Sequence, residues 1–379
     1  MFEMNSRLII DEFYEVLKDP SAYGRKIKEE GRRKVVGYLC SYTPEEIIYA
    51  AGAHPFRLFG TGANIYLADA HLQSYCCSLV RGALEGALAG HLDFLDGVVF
   101  PHTCDSIQRL SDIWRMNVKG SFHIDVVLPV KLDTESARAY MIDILTKFRN
   151  DLGGYLQGEI TDEKLTNALK TFNTIRGYLK RLYELKAENP GIITGSDLYA
   201  VVKSSMIMDR GHLLEVLPTF VNELEKKKES AESFQGKRII LAGGVCTHPD
   251  IYRIIEEAGG VVVWDDFCTG TRYFDVSVMN DSDPISVIAE RFMKRPVCPA
   301  KHAGIFTRGE NLVKIVKEKD ARGVVFVFLK FCDPHAFDYP YMKELLDREG
   351  IPSMALDVED QLPSESQLQT RFETFIEML

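Results

Sequence analysis

A strand-then-helix rhythm occupies both ends of this 379-residue chain and is missing from the stretch between about 133 and 232. That pattern limits the fold more than any other feature. Residues 1–30 read as an amphipathic helix, with Leu8, Ile9, Phe13, Val16 and Leu17 on one stripe. Lys34–Cys40 is a short apolar run that reads as a strand. Residues 44–52 follow as a helix, with Pro44 in the first turn and Gly52 at its end. Phe56–Phe59 reads as a second strand, and residues 78–90 as a helix with Val80, Leu84 and Leu88 on one face. Gly82, Gly86 and Gly90 recur on another face, where a second backbone can approach closely. Asp96–Phe100 is a strand, residues 105–116 a helix and Phe122–Leu128 a strand. Helical spacing alone then fills 134–152, 162–186, 195–204 and 213–232. The alternation returns with strands at Lys237–Gly243, Val261–Trp264, Gly323–Leu329 and Ile351–Leu356. The intervening helices are 249–258, 311–320 and 341–349, and a last one spans 367–379. The expected fold is α/β: two Rossmann-like or flavodoxin-like parallel-sheet units joined by a helical segment. The expected divisions are an N-terminal helix plus first α/β unit over 1–132, a helical insertion or bridge over 133–235, and a second α/β unit over 236–379.

The net charge of −10 and pI near 5.5 argue against a nucleic-acid binder, which carries a basic footprint. No run of 18 apolar residues appears, and the first twenty residues have no basic region followed by an apolar core. A cytoplasmic protein with no membrane partner is therefore expected. The charged run from Glu223 onward reads as a solvated helix face. No phosphate loop is present: Gly236-Lys237 is followed by Arg238, and Gly259-Gly260 ends a helix. No nucleotide is expected on this chain.

The chain has eight cysteines: Cys40, Cys76, Cys77, Cys104, Cys246, Cys268, Cys298 and Cys332. In a large intracellular chain each is expected to be a reduced thiol, and for any one alone the ordinary role is a small buried hydrophobe. Their places along the chain add something. Asp96–Asp105 (DGVVFPHTCD) echoes Arg322–Asp333 (RGVVFVFLKFCD), each a buried strand followed by Cys-Asp and then a helix. Open α/β sheets bind ligands beyond the carboxyl ends of their strands, and Cys104 and Cys332 both lie there. Cys104 also stands at a helix start, where the helix dipole favours thiolate. Two such cysteines facing across a cleft, plus a third, could hold an iron–sulfur cube with one iron open. No ferredoxin run or paired zinc motif is present, so buried thiols and a metal centre both remain readings of the spacing. His102 and His335 flank the two cysteines and could hydrogen-bond sulfur or donate a proton. Ser41, just past a strand end, is a possible substrate contact. Glu45 and Glu46 open a helix, where the dipole alone favours carboxylates.

Several segments together resemble the 2-hydroxyacyl-CoA dehydratase and benzoyl-CoA reductase family. They are Gly37–Gly52 (GYLCSYTPEEIIYAAG), Gln73–Arg81 (QSYCCSLVR), Asp96–Asp105, Ile239–Gly244, Asp265–Gly270 (DDFCTG), Lys330–Pro334 (KFCDP) and the last thirteen residues. Chain length and the Ser-Tyr-Cys segment resemble the smaller subunit of its heterodimeric members. The resemblance implies one [4Fe–4S] cluster held by Cys77, Cys104 and Cys332, with Cys76 as the alternative to Cys77. It assigns no ligand role to Cys40, Cys246, Cys268 or Cys298. It also implies a reaction in which a low-potential electron reaches an acyl-CoA thioester. The implied partners are a homologous second subunit and a separate ATP-hydrolysing iron–sulfur activator. A homodimer whose clusters join as a double-cubane [Fe8S9] centre and reduces small molecules, or a non-catalytic assembly homologue, are the other readings the family allows.

Overall fold

The computed structural model describes residues 6–60, 64–228, 236–279, 282–359 and 362–379. The expected first helix is two, α1 (Ser6–Lys18) and α2 (Pro20–Gly31). Asp19 accepts the Ala22 N–H at 2.8 Å and Pro20 occupies the first turn, so a new helix starts there. Next come β1 (Val35–Tyr38), α3 (Glu45–Ala50), β2 (His54–Arg57), α4 (Ser78–Leu88), β3 (Gly97–Pro101), α5 (Asp105–Asn117) and β4 (Phe122–Val126). The four strands are parallel, in the order β2-β1-β3-β4. Four helices follow: α6 (Glu135–Leu156), α7 (Asp162–Glu188), α8 (Gly195–Ser205) and α9 (Arg210–Lys228). Thr134, Thr161 and Thr194 each cap one by accepting the N–H three residues on.

The second sheet is built from β5 (Lys237–Gly243), α10 (Asp250–Glu257), β6 (Gly260–Asp266), α11 (Thr271–Phe274), α12 (Pro284–Lys294), α13 (Thr307–Glu318), β7 (Gly323–Leu329), α14 (Asp333–Arg348), β8 (Ser353–Val358) and α15 (Glu365–Glu377). Its order, β6-β5-β7-β8, repeats that of the first, again with every strand parallel. The two-sheet α/β fold expected from the sequence is therefore present. Sequence periodicity gave no element between 265 and 310, where α11 and α12 lie, and began α14 eight residues late. Pro340, inside α14, reads as a helix boundary although the helix runs through it. No helix among the described residues is long and apolar enough to cross a membrane.

The long helices connect the two sheets. α7 packs on α3 of the first unit and on β6 and α11 of the second, while α12 lies against α6 and α7. Buried charge fixes this junction. Glu46 is fully buried; Arg176 of α7 donates to it, and Arg291 of α12 approaches to 3.7 Å. Burial pushes the Glu46 carboxyl up, but Arg176 and Arg291 outweigh that and hold it below its usual range. Glu45 accepts from Tyr38 at 2.8 Å and from Arg210 of α9 at 3.0 Å. Dipole stabilisation, the role read from the sequence for both residues, leaves out these interhelical partners.

His54 makes a similar junction from β2: its Nε2 lies 2.7 Å from the Ile207 carbonyl, in the α8–α9 turn. Burial first, and the Arg210 charge second, depress its pKa to about 3 from 6.5. The folded state thus holds neutral imidazole while the unfolded chain takes up a proton below pH 6.5. The His54 contribution is complete above 6.5 and is lost as pH falls toward 3, at about 1.4 kcal/mol per pH unit at most. Urea midpoints measured from pH 7.5 to 5 should fall less steeply for His54→Asn than for the natural chain. Equal slopes would show that His54 stays uncharged for some other reason.

Candidate functional site

Three helices begin at cysteines. Cys77 caps α4, Cys104 caps α5 and Cys332 caps α14, with Cys77 and Cys104 in extended backbone. Cys104 lies three residues beyond β3 and Cys332 three beyond β7. These strands flank the points where each sheet's order reverses, β1/β3 and β5/β7. Gly60, at φ 81°, lets the chain leaving β2 cross the first turn of α4. A Cβ there would sit 3.3 Å from the Leu79 carbonyl and 3.6 Å from Gly82 Cα, which realises the close approach expected at Gly82.

The fold brings the three thiols into one electrostatic neighbourhood: Cys77 with Cys104, Cys104 with Cys332, and Cys332 with Cys77. Cys76 has Arg81, Asp105 and Asp333 as charged neighbours. Among the described residues, no three ligand-type side chains are close enough to enclose a single metal ion. Burial pushes the Cys77, Cys104 and Cys332 thiols up to about 12, outweighing the helix-start N–H groups that favour thiolate. The thiolate expected at Cys104 from the helix dipole alone is therefore not the state of the metal-free protein. Desolvation is the larger effect.

Three further cysteines adjoin these. Cys40 neighbours Cys104 and Cys298, and Cys268 neighbours Cys332. The Cys298 thiol first, and then the Arg272, Arg57 and Arg295 charges, hold the Cys268 thiol well below its usual range. Those arginines are buried. Arg272 pairs with Asp266 at 3.2 Å. Arg295 donates to the Ser41 carbonyl at 2.5 Å and to its hydroxyl at 3.2 Å, and packs over the Tyr42 ring at 4.6 Å. Among the described residues neither Arg57 nor Arg295 makes an ion pair, although Asp275 is a charged neighbour of Arg295, and Nε of each makes no hydrogen bond; Arg272 meets Asp266 through its Nε and leaves Nη1 without a hydrogen bond. Ser41 is thus held by Arg295 beside the sulfur group. His102 lies in a separate network, with Nε2 2.8 Å from Asp125, which also accepts from Ser111 at its shared oxygen. His335 is buried against the Phe328 ring and kept neutral, chiefly by burial.

A cavity of about 420 Å³ opens onto Cys104 and Asp333, with Lys301, Arg308, Phe337 and Tyr341 in its wall. Lys301 is 4% exposed. Its ammonium donates to the Leu128 carbonyl at 3.2 Å, and burial lowers its pKa among Cys40, Cys298 and Cys104. A second cavity, about 520 Å³, lies between the end of β2, α4 and the loop after β5, with Arg57 and Lys203 in its wall. Arg57, Arg272, Arg295 and Lys301 carry no mark in the sequence that singles them out. Cys40 and Cys268 do carry one that was passed over: each follows a strand end by two residues, the rule that singled out Cys104.

The chain matches the family of the 2-hydroxyglutaryl-CoA dehydratase D-component over residues 40–379. It belongs to that family. Relatives of this D-component family align along nearly the whole chain. The (R)-phenyllactyl-CoA dehydratase beta subunit of Clostridium sporogenes is 28% identical, over 99% of this chain and 100% of its own length. The (R)-2-hydroxyglutaryl-CoA dehydratase beta subunit of Acidaminococcus fermentans is 27% identical, over 98% and 99%. A benzoyl-CoA reductase subunit of Thauera aromatica is 27% identical, over 84% of each chain. The family expected from the sequence motifs is thus the family found.

Proposed function

We propose that this chain is the [4Fe–4S]-bearing smaller subunit of an acyl-CoA dehydratase or aryl-CoA reductase, with Cys77, Cys104 and Cys332 as the cluster ligands. The observation that carries the reading is the mutual approach of three thiols from three separate helix starts, across both sheets. A four-iron cube holds its thiolates farther apart than a single ion does, which suits three thiols that do not close around one ion among the described residues. The charge balance suits it too. A cube with three thiolates is anionic, and Arg57 and Arg295 are buried cations outside any ion pair among the described residues. When bound, the cluster supplies single electrons of low potential, down to roughly −700 mV in iron–sulfur proteins.

The chain's own residues shape the surroundings. Ser41 and Arg295 wall one side of the sulfur group. Lys301 brings an ammonium, its pKa lowered by burial, to the cavity at Cys104, where it can bind an anionic substrate group or hand over a proton. Phe337 and Tyr341 give that cavity an apolar side for an acyl chain. The dehydratase and reductase names of the relatives support a thioester substrate and a second subunit as partner.

Iron and sulfide counts on anaerobically purified protein, with its oligomeric state, test this reading. About four irons per chain in a complex with a homologous subunit is the expected result. Iron-free protein would refute it. In the segment holding Cys76 and Cys77, Cys77→Ser should lose the iron and Cys76→Ser keep it, because Cys77 neighbours the other two thiols and Cys76 the rim charges. The reverse result would move the ligand by one residue. The chain alone should not hydrolyse ATP, and turnover should require a separate ATP-hydrolysing iron–sulfur activator and a strong reductant. ATP hydrolysis by this chain alone would overturn that division of labour.

A further inference from the structure

The cavity of about 520 Å³ lies past the carboxyl ends of strands from both sheets. Phe59 and Gly60 after β2, Leu329 at the end of β7 and Thr247 in the loop after β5 all stand in its wall. Parallel sheets take their ligands in such places. Its volume falls in the range of small-molecule sites, about 300–1,000 Å³. Among the described residues it shares no wall residue with the cavity at Cys104.

Two cations without ion pairs among the described residues line this cavity. Arg57, the last residue of β2, is 2% exposed. Its guanidinium lies 5.5 Å from the Tyr38 ring centre and 5.7 Å from that of Phe59, and its Nε makes no hydrogen bond. Lys203, in the last turn of α8, lies 5.0 Å from the same Phe59 ring and donates to the Tyr199 hydroxyl at 2.8 Å. Burial lowers its pKa to about 8, and its charged neighbour is the Cys246 thiol, not a carboxylate. The Arg57 N–H donates to the Met206 carbonyl at 3.3 Å, which ties the end of β2 to the end of α8 and brings both cations to Phe59. Ring contacts recover only part of the cost of burying such charges. Elsewhere the wall is apolar: Gly82, Ala83 and Gly86 give it a smooth face of α4, with Leu17, Leu58 and Leu92 beside them. The one carboxylate in the wall, Asp19, is already engaged as the cap of α2, accepting the Ala22 N–H at 2.8 Å.

We propose that this second cavity binds a small organic anion, a carboxylate or phosphate ester with a short apolar body. Arg57 and Lys203 hold the anionic head, and the α4 face of Gly82, Ala83 and Gly86 packs against the body. Cavity size rules in more than a bare ion, and the pairing of two cations with an apolar wall selects an amphipathic ligand. An occupant touches β2, α4 and α8 as well as the loop after β5, so it also stabilises the junction of the two sheets.

The test is calorimetric titration of the anaerobically purified full chain with hexanoate, hexyl phosphate and neutral hexanamide. One anion should bind per chain and raise the thermal midpoint, with hexanamide at least about tenfold weaker because it lacks the charge. The tighter of the two anions identifies the head group. Arg57 is buried deeply enough for its replacement to threaten the fold, so the variants are made at Lys203 and Gly86. Lys203→Met should weaken anion binding at least about tenfold. A Cβ at Gly86 meets only Leu92, at 3.8 Å, so Gly86→Leu is accepted by the helix and should block the site by filling it. Lys301→Met, in the cavity at Cys104, should leave the affinity unchanged. No saturable anion binding, equal affinity for hexanamide, or an affinity that Lys203→Met and Gly86→Leu leave unchanged would overturn the proposal. Iron content measured on the same samples reports on the cluster separately.

Discussion

Cys104→Ala and Cys332→Ala should each reduce bound iron and the broad visible absorbance of anaerobically purified protein to near background. Each removes one of three thiolates supplied by separate helices, and no residue adjacent in sequence supplies another thiolate. The residues beside them, Thr103, Asp105, Phe331 and Asp333, offer no second sulfur. Loss of activity should follow the loss of iron in proportion, to at least about a hundredfold. The fold should survive, because Cys104 and Cys332 lie at the edge of the core, at helix caps, and neither makes a side-chain cap bond that could be lost. Circular dichroism and the urea midpoint of each variant should therefore stay close to those of the metal-free natural chain. Cys246→Ser, in a different part of the core, should keep its full iron content. Full iron in Cys104→Ala would show that the three-cysteine assignment is wrong.

The sequence shows the sheets clearly because parallel strands covered on both faces are nearly continuous apolar runs. Gly323–Leu329 and Lys237–Gly243 read as strands with the bounds the structure gives. It shows Cys104 and Cys332 through a general rule, that ligands gather past strand ends, and it supplies Cys77 only through the family motif. The rest of the site was hidden for a physical reason. Arg295 reaches Ser41, 254 positions away, and Arg57 reaches Cys268, more than 200 positions away, so no local periodicity connects them. A buried arginine looks the same in sequence as an exposed one, and Arg57, Arg272 and Arg295 differ from the chain's surface arginines only in what tertiary packing places over them. Burial also reversed a local inference. The helix start at Cys104 predicts a thiolate, and desolvation, which sequence does not display, raises the thiol instead.

Burial likewise sets the largest expected effect on stability, at Glu46. Replacing it by glutamine keeps shape and volume but leaves Arg176 and Arg291 buried with only Glu45, 4.0 Å from Arg176 and already paired with Arg210, as counter-charge. Breaking a buried pair in this way costs about 3–5 kcal/mol, whereas replacing the whole group by apolar residues costs far less, because then no charge is left stranded. Glu46→Gln should therefore lower the urea midpoint strongly, while a Glu46→Leu, Arg176→Met double variant should recover much of the loss. Burial first and the Arg176 charge second push the Arg291 pKa down, yet a guanidinium keeps its charge, so deprotonation does not relieve the loss of its carboxylate. The consequence reaches the cysteines. α3 follows directly on the Cys40–Tyr42 turn, and Arg295, which grips Ser41, stands one residue beyond the end of α12, the helix that carries Arg291. Releasing Glu46 loosens both sides of the wall beside Cys40 and Cys298, so Glu46→Gln should also lose iron faster to a chelator than the natural chain does. A Glu46→Gln protein with an unchanged midpoint would mean that water or backbone already satisfies Arg176 and Arg291, and that the junction between the two sheets is held by apolar packing alone.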